Sequence, residues 1–149
     1  MADLTIGEAS RQSGVRVNTI RFYEERGLLP EPPRSQGNRR LYDPAAVARL
    51  RFIRHARALG FGLEAIGDLL ALQGQPGAAC AAADSIARRQ LLAVETRLAQ
   101  LSALRDELAR MTAPCDGGTV AQCRVIEALA DHGLCAADHD APKPGTSGF

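Results

Sequence analysis

The chain has 149 residues, a formal net charge of +1 and no tryptophan, and aromatic residues make up only 4% of it. A chain of this length forms one or two small domains, and a core poor in aromatic side chains favours helices packed on helices. The chain has no apolar run of about 18 residues that could span a membrane, and Met1 to Glu8 show no apolar secretory segment, so we expect a cytoplasmic protein.

The charges are divided unevenly along the chain. Between Ser10 and Gly62 there are eleven arginines and four acids, whereas from Pro76 onward there are seven basic residues and nine acids. A basic first half followed by a mildly acidic second half predicts a head that binds nucleic acid and a tail that binds a partner. The alternative is an arginine-rich surface that is merely solvated.

The first elements predict a helix-turn-helix. Thr5 and Glu8 have the spacing of a capping box, and the helix that they begin ends near Gly14. A second helix is predicted over residues 17–26 and ends at Gly27. Two short helices joined by a tight turn describe this DNA-binding motif.

The next segment predicts a wing. Residues 28–34 contain three prolines and are expected to be extended. Residues 37–42 are expected to form a tight turn that leads into a short strand. Asp43 and Pro44 then have the residue types of a helix cap and a first helical position, so a helix is predicted from there to about residue 59.

The second half predicts a dimerisation helix. A helix over residues 63–72 and a Gly/Pro break precede residues 78–113, which contain neither glycine nor proline. Their apolar residues recur mostly at spacings of three and four, the pattern of a coiled-coil seam: Leu91, Val94, Leu98, Leu101, Leu108 and Met111. The alternative is a core helix within a monomer, but the rest of the chain is too small to cover a helix of this length.

We therefore predict a mainly α protein with four parts. Residues 1–75 form a winged helix-turn-helix DNA-binding domain, and residues 76–113 form a dimerisation helix. Residues 114–135 form a metal-binding loop and a short helix over 124–131, and residues 136–149 form a disordered tail rich in small and polar residues.

The four cysteines all lie in the second half. Cys80 and Cys115 are 35 residues apart, which is about 50 Å in a continuous helix. No single ion bridges that distance, whereas an antiparallel partner chain would place its own Cys80 beside Cys115 and Cys123. Because cytoplasmic thiols stay reduced, the spacing suggests a soft metal site completed across a dimer.

Three segments of the head resemble MerR-type transcription regulators: residues 5–9 (TIGEA), residues 17–29 (VNTIRFYEERGLL) and residues 37–43 (GNRRLYD). The resemblance implies a winged helix-turn-helix homodimer joined by an antiparallel coiled coil. It also implies binding to double-stranded promoter DNA with an over-long spacer. Effector binding would distort that DNA so that RNA polymerase holoenzyme reads both promoter elements.

The resemblance and the basic composition of the head together give a set of candidate DNA contacts, most of them to phosphates. The set contains residues of the second helix, the wing and the helix after it: Arg16, Asn18, Thr19, Arg21, Tyr23, Arg34, Asn38, Arg39, Arg40, Tyr42 and Arg54. The alternative for two of them is structural, with Tyr23 packed inside the head and Arg40 paired with an acid.

Cys115 and Cys123 resemble the loop cysteines of the metal-sensing branch, and Cys80 resembles the cysteine that its divalent-metal sensors carry. Three thiolates around a divalent soft ion leave a net charge of −1, so we expect Cd, Pb, Hg or Zn as the effector. Cys135 and His132 are possible additional ligands. The alternatives are a Cu(I), Ag(I) or Au(I) sensor and a thiol-redox sensor of the same family. An enzyme is not expected, since no cysteine has an evident histidine base.

Overall fold

The computed structural model describes residues 3–113 and 117–131, and the described chain is mainly helical. The elements follow one another as α1 (Ile6–Ser13), α2 (Val17–Glu25), α3 (Pro44–Ala58), α4 (Leu63–Gln73), α5 (Ala81–Thr112), a single 3₁₀ turn (Val120–Gln122) and α6 (Arg124–Ala130). This order confirms the predicted fold class. None of the helices in the described ranges is long and apolar enough to cross a membrane.

The predicted helix caps are present in the structure. The Thr5 hydroxyl accepts a hydrogen bond from the backbone N–H of Glu8, and the Glu8 carboxylate accepts one from the backbone N–H of Thr5, which completes a capping box. Asp43 caps α3 by accepting from the backbone N–H of Ala46 at 2.8 Å, and Pro44 occupies the first helical position. Short sequence signals thus fix where both helices begin.

The core of the head lies where α1 packs on α2 and α3, and where α3 packs on α4. It consists of aliphatic and small side chains with two tyrosines: Ala9, Val15, Ile20, Tyr23, Leu28, Leu29, Tyr42, Val47, Leu50, Ile53, Ala56, Ile66 and Leu70. The aliphatic content agrees with the composition, and the spacing of the buried residues on each helix defines which face points outward.

The predicted wing strand is wrong in extent. Among the described residues the wing holds only two isolated antiparallel bridges, Leu4 with Tyr42 and Arg34 with Arg40. The prolines of residues 28–34 lack the N–H groups that a longer ladder needs. The wing is therefore a tight turn closed by single bridges.

The helix α5 is one continuous element of 32 residues. Its predicted start at residue 78 is early, because the N–H of Ala78 closes a turn onto the carbonyl of Gln75. The chain separates into two compact units that divide between Ala87 and Arg88. In the second unit most apolar side chains of α5 are exposed in the single chain: Leu91, Leu92, Val94, Leu98, Leu101, Leu104 and Leu108.

The segment after α5 is predicted as a loop followed by a helix. The 3₁₀ turn at Val120–Gln122 lies within the predicted loop, and α6 begins at Arg124 as expected. The predicted disordered tail lies outside the described residues, as do Cys115, Cys135 and His132.

Candidate nucleic-acid interface and metal centre

The outer face of α2 is polar and basic. Ile20 and Tyr23 are the buried residues of this helix, and at 100° per residue the opposite side carries Asn18 and Arg21, which are both exposed. Arg16 is exposed at the N-cap, whereas Thr19 is half-buried at the edge of the face. Three of the predicted contacts on α2 thus lie on an accessible surface.

Tyr23 does not share that surface. Its side chain is only 7% exposed and belongs to the core of the head. This burial favours the alternative, packing inside the head, and the DNA contact of Tyr23 stays a prediction. Its position three residues after Ile20 placed it on the apolar side of the helix, a signal that was available in the sequence.

Phe22 was missed by the sequence analysis. It lies on the outer face of α2, four residues after Asn18, and is 37% exposed. The guanidinium of Arg26 lies 5.1 Å from the centre of its ring. An exposed aromatic ring next to a cation extends the basic face of α2 toward its C-terminal end.

The turn of the wing is held by its own polar groups. Asn38 has a positive φ of 61°, which its short side chain tolerates. The guanidinium of Arg34 donates to the carbonyl of Asn38 at 3.1 Å, and the N–H of Arg39 donates to the hydroxyl of Ser35 at 3.2 Å. The Arg34 guanidinium thus stabilises the turn, while the Arg39 side chain is exposed at its tip.

Arg40 and Tyr42 both contact Glu24, at the last turn of α2. The Arg40 Nε lies 3.1 Å from one carboxylate oxygen, and the Tyr42 hydroxyl donates to the other. Burial and this hydrogen bond raise the pKa of the Tyr42 phenol well above its usual range. Tyr42 is 1% exposed, which speaks against its predicted DNA contact. Arg40 pairs with an acid, Glu24, as in the structural alternative.

Arg54 lies beside the turn of the helix-turn-helix. A Cβ built at Gly14 would come 3.0 Å from the Arg54 Cζ. The neighbouring Arg51 donates from Nε and Nη2 to the carbonyl of Gln12, at 3.0 and 2.8 Å. Arg51 therefore ties α3 to the end of α1, whereas Arg54 is exposed to solvent beside Gly14.

Two of the candidate metal ligands lie in the described residues, and both are free thiols. Cys80 is exposed immediately before α5, and its carbonyl accepts from the N–H of Asp84. Cys123 is half-buried at the N-cap of α6, and its carbonyl accepts from the N–H of Glu127. Both residues thus stand directly before a helix, and their carbonyls accept hydrogen bonds from its first turn.

One chain does not by itself assemble a metal site in the ranges 3–113 and 117–131: no three His, Cys, Asp or Glu side chains converge there. Cys115, Cys135, His132 and His139 fall outside those ranges. The chemistry of the described donors fits a soft ion, because thiolates are the ligands that soft metals prefer.

Comparison with known proteins agrees with these features. The family model described as "MerR HTH family regulatory protein" matches residues 4–73, and the one described as "MerR, DNA binding" matches residues 47–111. A mercuric resistance operon regulatory protein of Serratia marcescens is 38% identical over 131 residues, which are 87% of this chain and 89% of that protein. The HTH-type transcriptional regulator ZntR of Escherichia coli K12 is 37% identical over 127 residues, 83% of this chain and 90% of that protein.

Among solved structures, the transcription regulator PbrR691 from Ralstonia metallidurans CH34 in complex with lead(II) is similar to this chain, with a TM-score of 0.74 and 39% identity. The match covers 85% of this chain and 98% of that one. The similarity therefore extends beyond the helix-turn-helix to most of the chain.

Proposed function

The chain belongs to the MerR family of helix-turn-helix transcription regulators, and from that premise we propose that it is a homodimeric activator which responds to a divalent soft metal ion in the cytoplasm. Its family relatives establish a metal-responsive, DNA-binding regulator and not an enzyme. The identity of the ion, its ligands and the mechanism of activation are the proposal.

The exposed apolar face of α5 supports the homodimer. Seven large apolar side chains of this helix are exposed in the single chain. Full burial of such a side chain is worth about 1.5–3 kcal/mol, and each of the seven forgoes part of that gain. Many lie at alternating spacings of three and four, which is the seam of a coiled coil. A second copy of the chain, running antiparallel, would cover them.

The free thiols of Cys80, directly before α5, and Cys123, at the N-cap of α6, are the observation that supports the metal proposal. The 32 residues of α5 separate Cys80 from the segment that contains Cys115 and Cys123. A helix of that length spans about 48 Å. We therefore assign the ion to Cys115 and Cys123 of one chain together with Cys80 of the partner subunit. Three thiolates match Cd, Pb, Hg or Zn; Cys135 or His132 would be a fourth ligand for zinc, which prefers four.

The DNA-facing surface is assigned to exposed and half-buried residues of the head. It comprises the predicted contacts that are not part of the core: Arg16, Asn18, Thr19, Arg21, Arg34, Asn38, Arg39, Arg40 and Arg54. Phe22 and Arg26 join it at the end of α2. With the metal bound, the two heads of the dimer would distort the promoter so that RNA polymerase holoenzyme reads both of its elements.

The coupling from metal to DNA is assigned to α6. Ile126 and Leu129 lie three residues apart on this helix and are both exposed, and Val125 adds a half-buried apolar side chain beside them. Metal bound at the preceding cysteines would hold α6 in place, and its apolar face would then pack on the dimer and change the spacing of the two recognition helices.

A competition titration tests the proposal. The reduced protein is titrated with Zn, Cd, Pb, Hg and Cu(I), and binding is followed by thiolate-to-metal absorption and by transcription from a long-spacer promoter. The proposal expects binding of divalent ions that is lost in Cys80→Ser, Cys115→Ser and Cys123→Ser. Cu(I) binding that survives Cys80→Ser would favour the monovalent alternative, and a transcriptional response to oxidants that survives loss of metal binding would favour the thiol-redox alternative.

A further inference from the structure

Glu24 joins the last turn of α2 to the wing. One of its carboxylate oxygens lies 3.1 Å from the Nε of Arg40, and the other accepts the hydroxyl of Tyr42. The Glu24 side chain is only 9% exposed. Both oxygens therefore have a partner in a site largely removed from water, where a hydrogen bond to a charged group is stronger than at the surface.

The two partners of Glu24 belong to the two different bridges that close the wing. Arg40 is paired with Arg34, and Tyr42 is paired with Leu4. The two carboxylate oxygens of Glu24 thus connect α2 to both β-bridges. Because the described wing has no strand ladder, its position relative to α2 depends on a small number of contacts of this kind.

The acidic charge of Glu24 gives a second reason to assign it a positioning role. An unpaired carboxylate at the end of a DNA-facing helix would repel phosphates. Here the guanidinium of Arg40 compensates that charge, and the ion pair fixes the arginine itself. Tyr42 is too deeply buried to touch DNA, so its hydroxyl also acts within the protein.

We infer that Glu24 is a positioning residue that sets the distance between the wing and α2, so that Arg39 at the wing tip and the outer face of α2 reach the same operator half-site. This inference rests on the proposed function, since it requires both surfaces to face DNA. Arg40 and Tyr42 contact Glu24 and hold the wing, whereas Arg39 is exposed at its tip.

The test compares hydroxyl-radical footprints on a duplex that the wild-type protein selects from a random-sequence pool. Arg39→Ala identifies the protections that depend on the wing. Glu24→Gln is expected to lose those same protections and to keep the ones that remain in Arg39→Ala. Glu64→Gln, which removes the same charge from an exposed position on α4, is the matched control and should keep all of them.

Salt titrations distinguish positioning from a general loss of stability. Each phosphate contact that is lost reduces the slope of log K against log[salt] by about 0.9. Glu24→Gln should reduce the slope at least as much as Arg39→Ala does, and the double variant should reduce it no further than Glu24→Gln alone. Additive losses would contradict the inference, because they would show that Glu24 acts independently of the wing tip.

A second variant keeps the test decisive should Glu24→Gln fail to fold. Tyr42→Phe retains the buried ring and removes only the hydroxyl that reaches Glu24, and it should weaken the wing protections while leaving those of α2. Wing protections that are unchanged in the folded variants would overturn the role of Glu24. If Arg39→Ala gives the same footprint as the wild type, the proposed DNA-facing surface is wrong instead.

Discussion

The guanidinium of Arg54 lies over Gly14, the residue that ends α1 and leads into α2. Gly14 has a positive φ of 75°, and an added Cβ would come 3.0 Å from Arg54 Cζ. Gly27, which follows α2, has nearly the same φ of 74° but no atom near the position of an added Cβ. The two glycines thus share a backbone conformation and differ in their neighbour.

This pair predicts a separation of stability from DNA binding. Gly14→Ala and Gly27→Ala should each lower the free energy of unfolding by about 1 kcal/mol, the cost of a left-handed non-glycine residue. Only Gly14→Ala should also weaken DNA binding, because it displaces Arg54 from beside the turn. Chemical denaturation and DNA titration measure the two effects. Equal DNA affinities in the two variants would contradict the role of Arg54.

The wing-tip arginine predicts a specific salt effect. Arg39→Ala should reduce the slope of log K against log[salt] by about 0.9 for each protomer on DNA. Arg105→Ala removes the same charge from α5, where Arg105 pairs with Asp106 at 3.1 Å. It should leave the slope unchanged. Equal slopes in Arg39→Ala and the wild type would remove Arg39 from the proposed interface.

The capping box of α1 predicts a dependence of stability on pH. Hydrogen bonds from the backbone N–H and the hydroxyl of Thr5 hold the pKa of Glu8 below its usual range. Because the pKa of Glu8 is lowered in the folded state, its contribution to folding stability is fully present above the usual carboxyl pKa. That contribution is lost as the pH falls through the lowered pKa of the folded protein. The wild type should therefore be more stable than Glu8→Gln at neutral pH, and urea denaturation should show the difference shrinking below about pH 4. A difference that stays constant down to pH 3 would contradict this assignment.

The exposed face of α6 predicts a variant that binds metal without responding to it. Ile126→Asp should retain metal binding, since it lies outside the proposed ligand set, and should lose metal-dependent transcription because a charge cannot be buried on the dimer. Glu127→Gln, on the next, exposed position, is the control. An unchanged transcriptional response in Ile126→Asp would show that α6 does not carry the coupling.

The helix boundaries were predictable because local residues determine them. Thr5, Glu8, Asp43 and Pro44 act on backbone groups within four positions, so their pattern is complete in the sequence. The same holds for Gly27, two residues after the end of α2, because its positive φ is typical of glycine.

The polar contacts of the head were less predictable because they join distant parts of the chain. Tyr42 and Glu24 are 18 residues apart, and an aromatic residue in an arginine-rich segment has the same sequence pattern whether it packs inside or faces DNA. Arg49 and Arg51 likewise donate to backbone carbonyls on other elements, a role that no local spacing indicates. Composition located the basic head, but only the fold separates its structural arginines from the exposed ones.

The most direct test of the central claim mixes two inactive subunits. A chain with Cys80→Ser keeps Cys115 and Cys123, and a chain with both Cys115→Ser and Cys123→Ser keeps Cys80. Each homodimer should fail to bind the metal. If the site is shared between subunits, the purified mixed dimer recovers one complete site, and its thiolate-to-metal absorption should reach about half of the wild-type value. A mixed dimer that binds no metal, or a Cys80→Ser homodimer that binds divalent ions as the wild type does, would contradict the account.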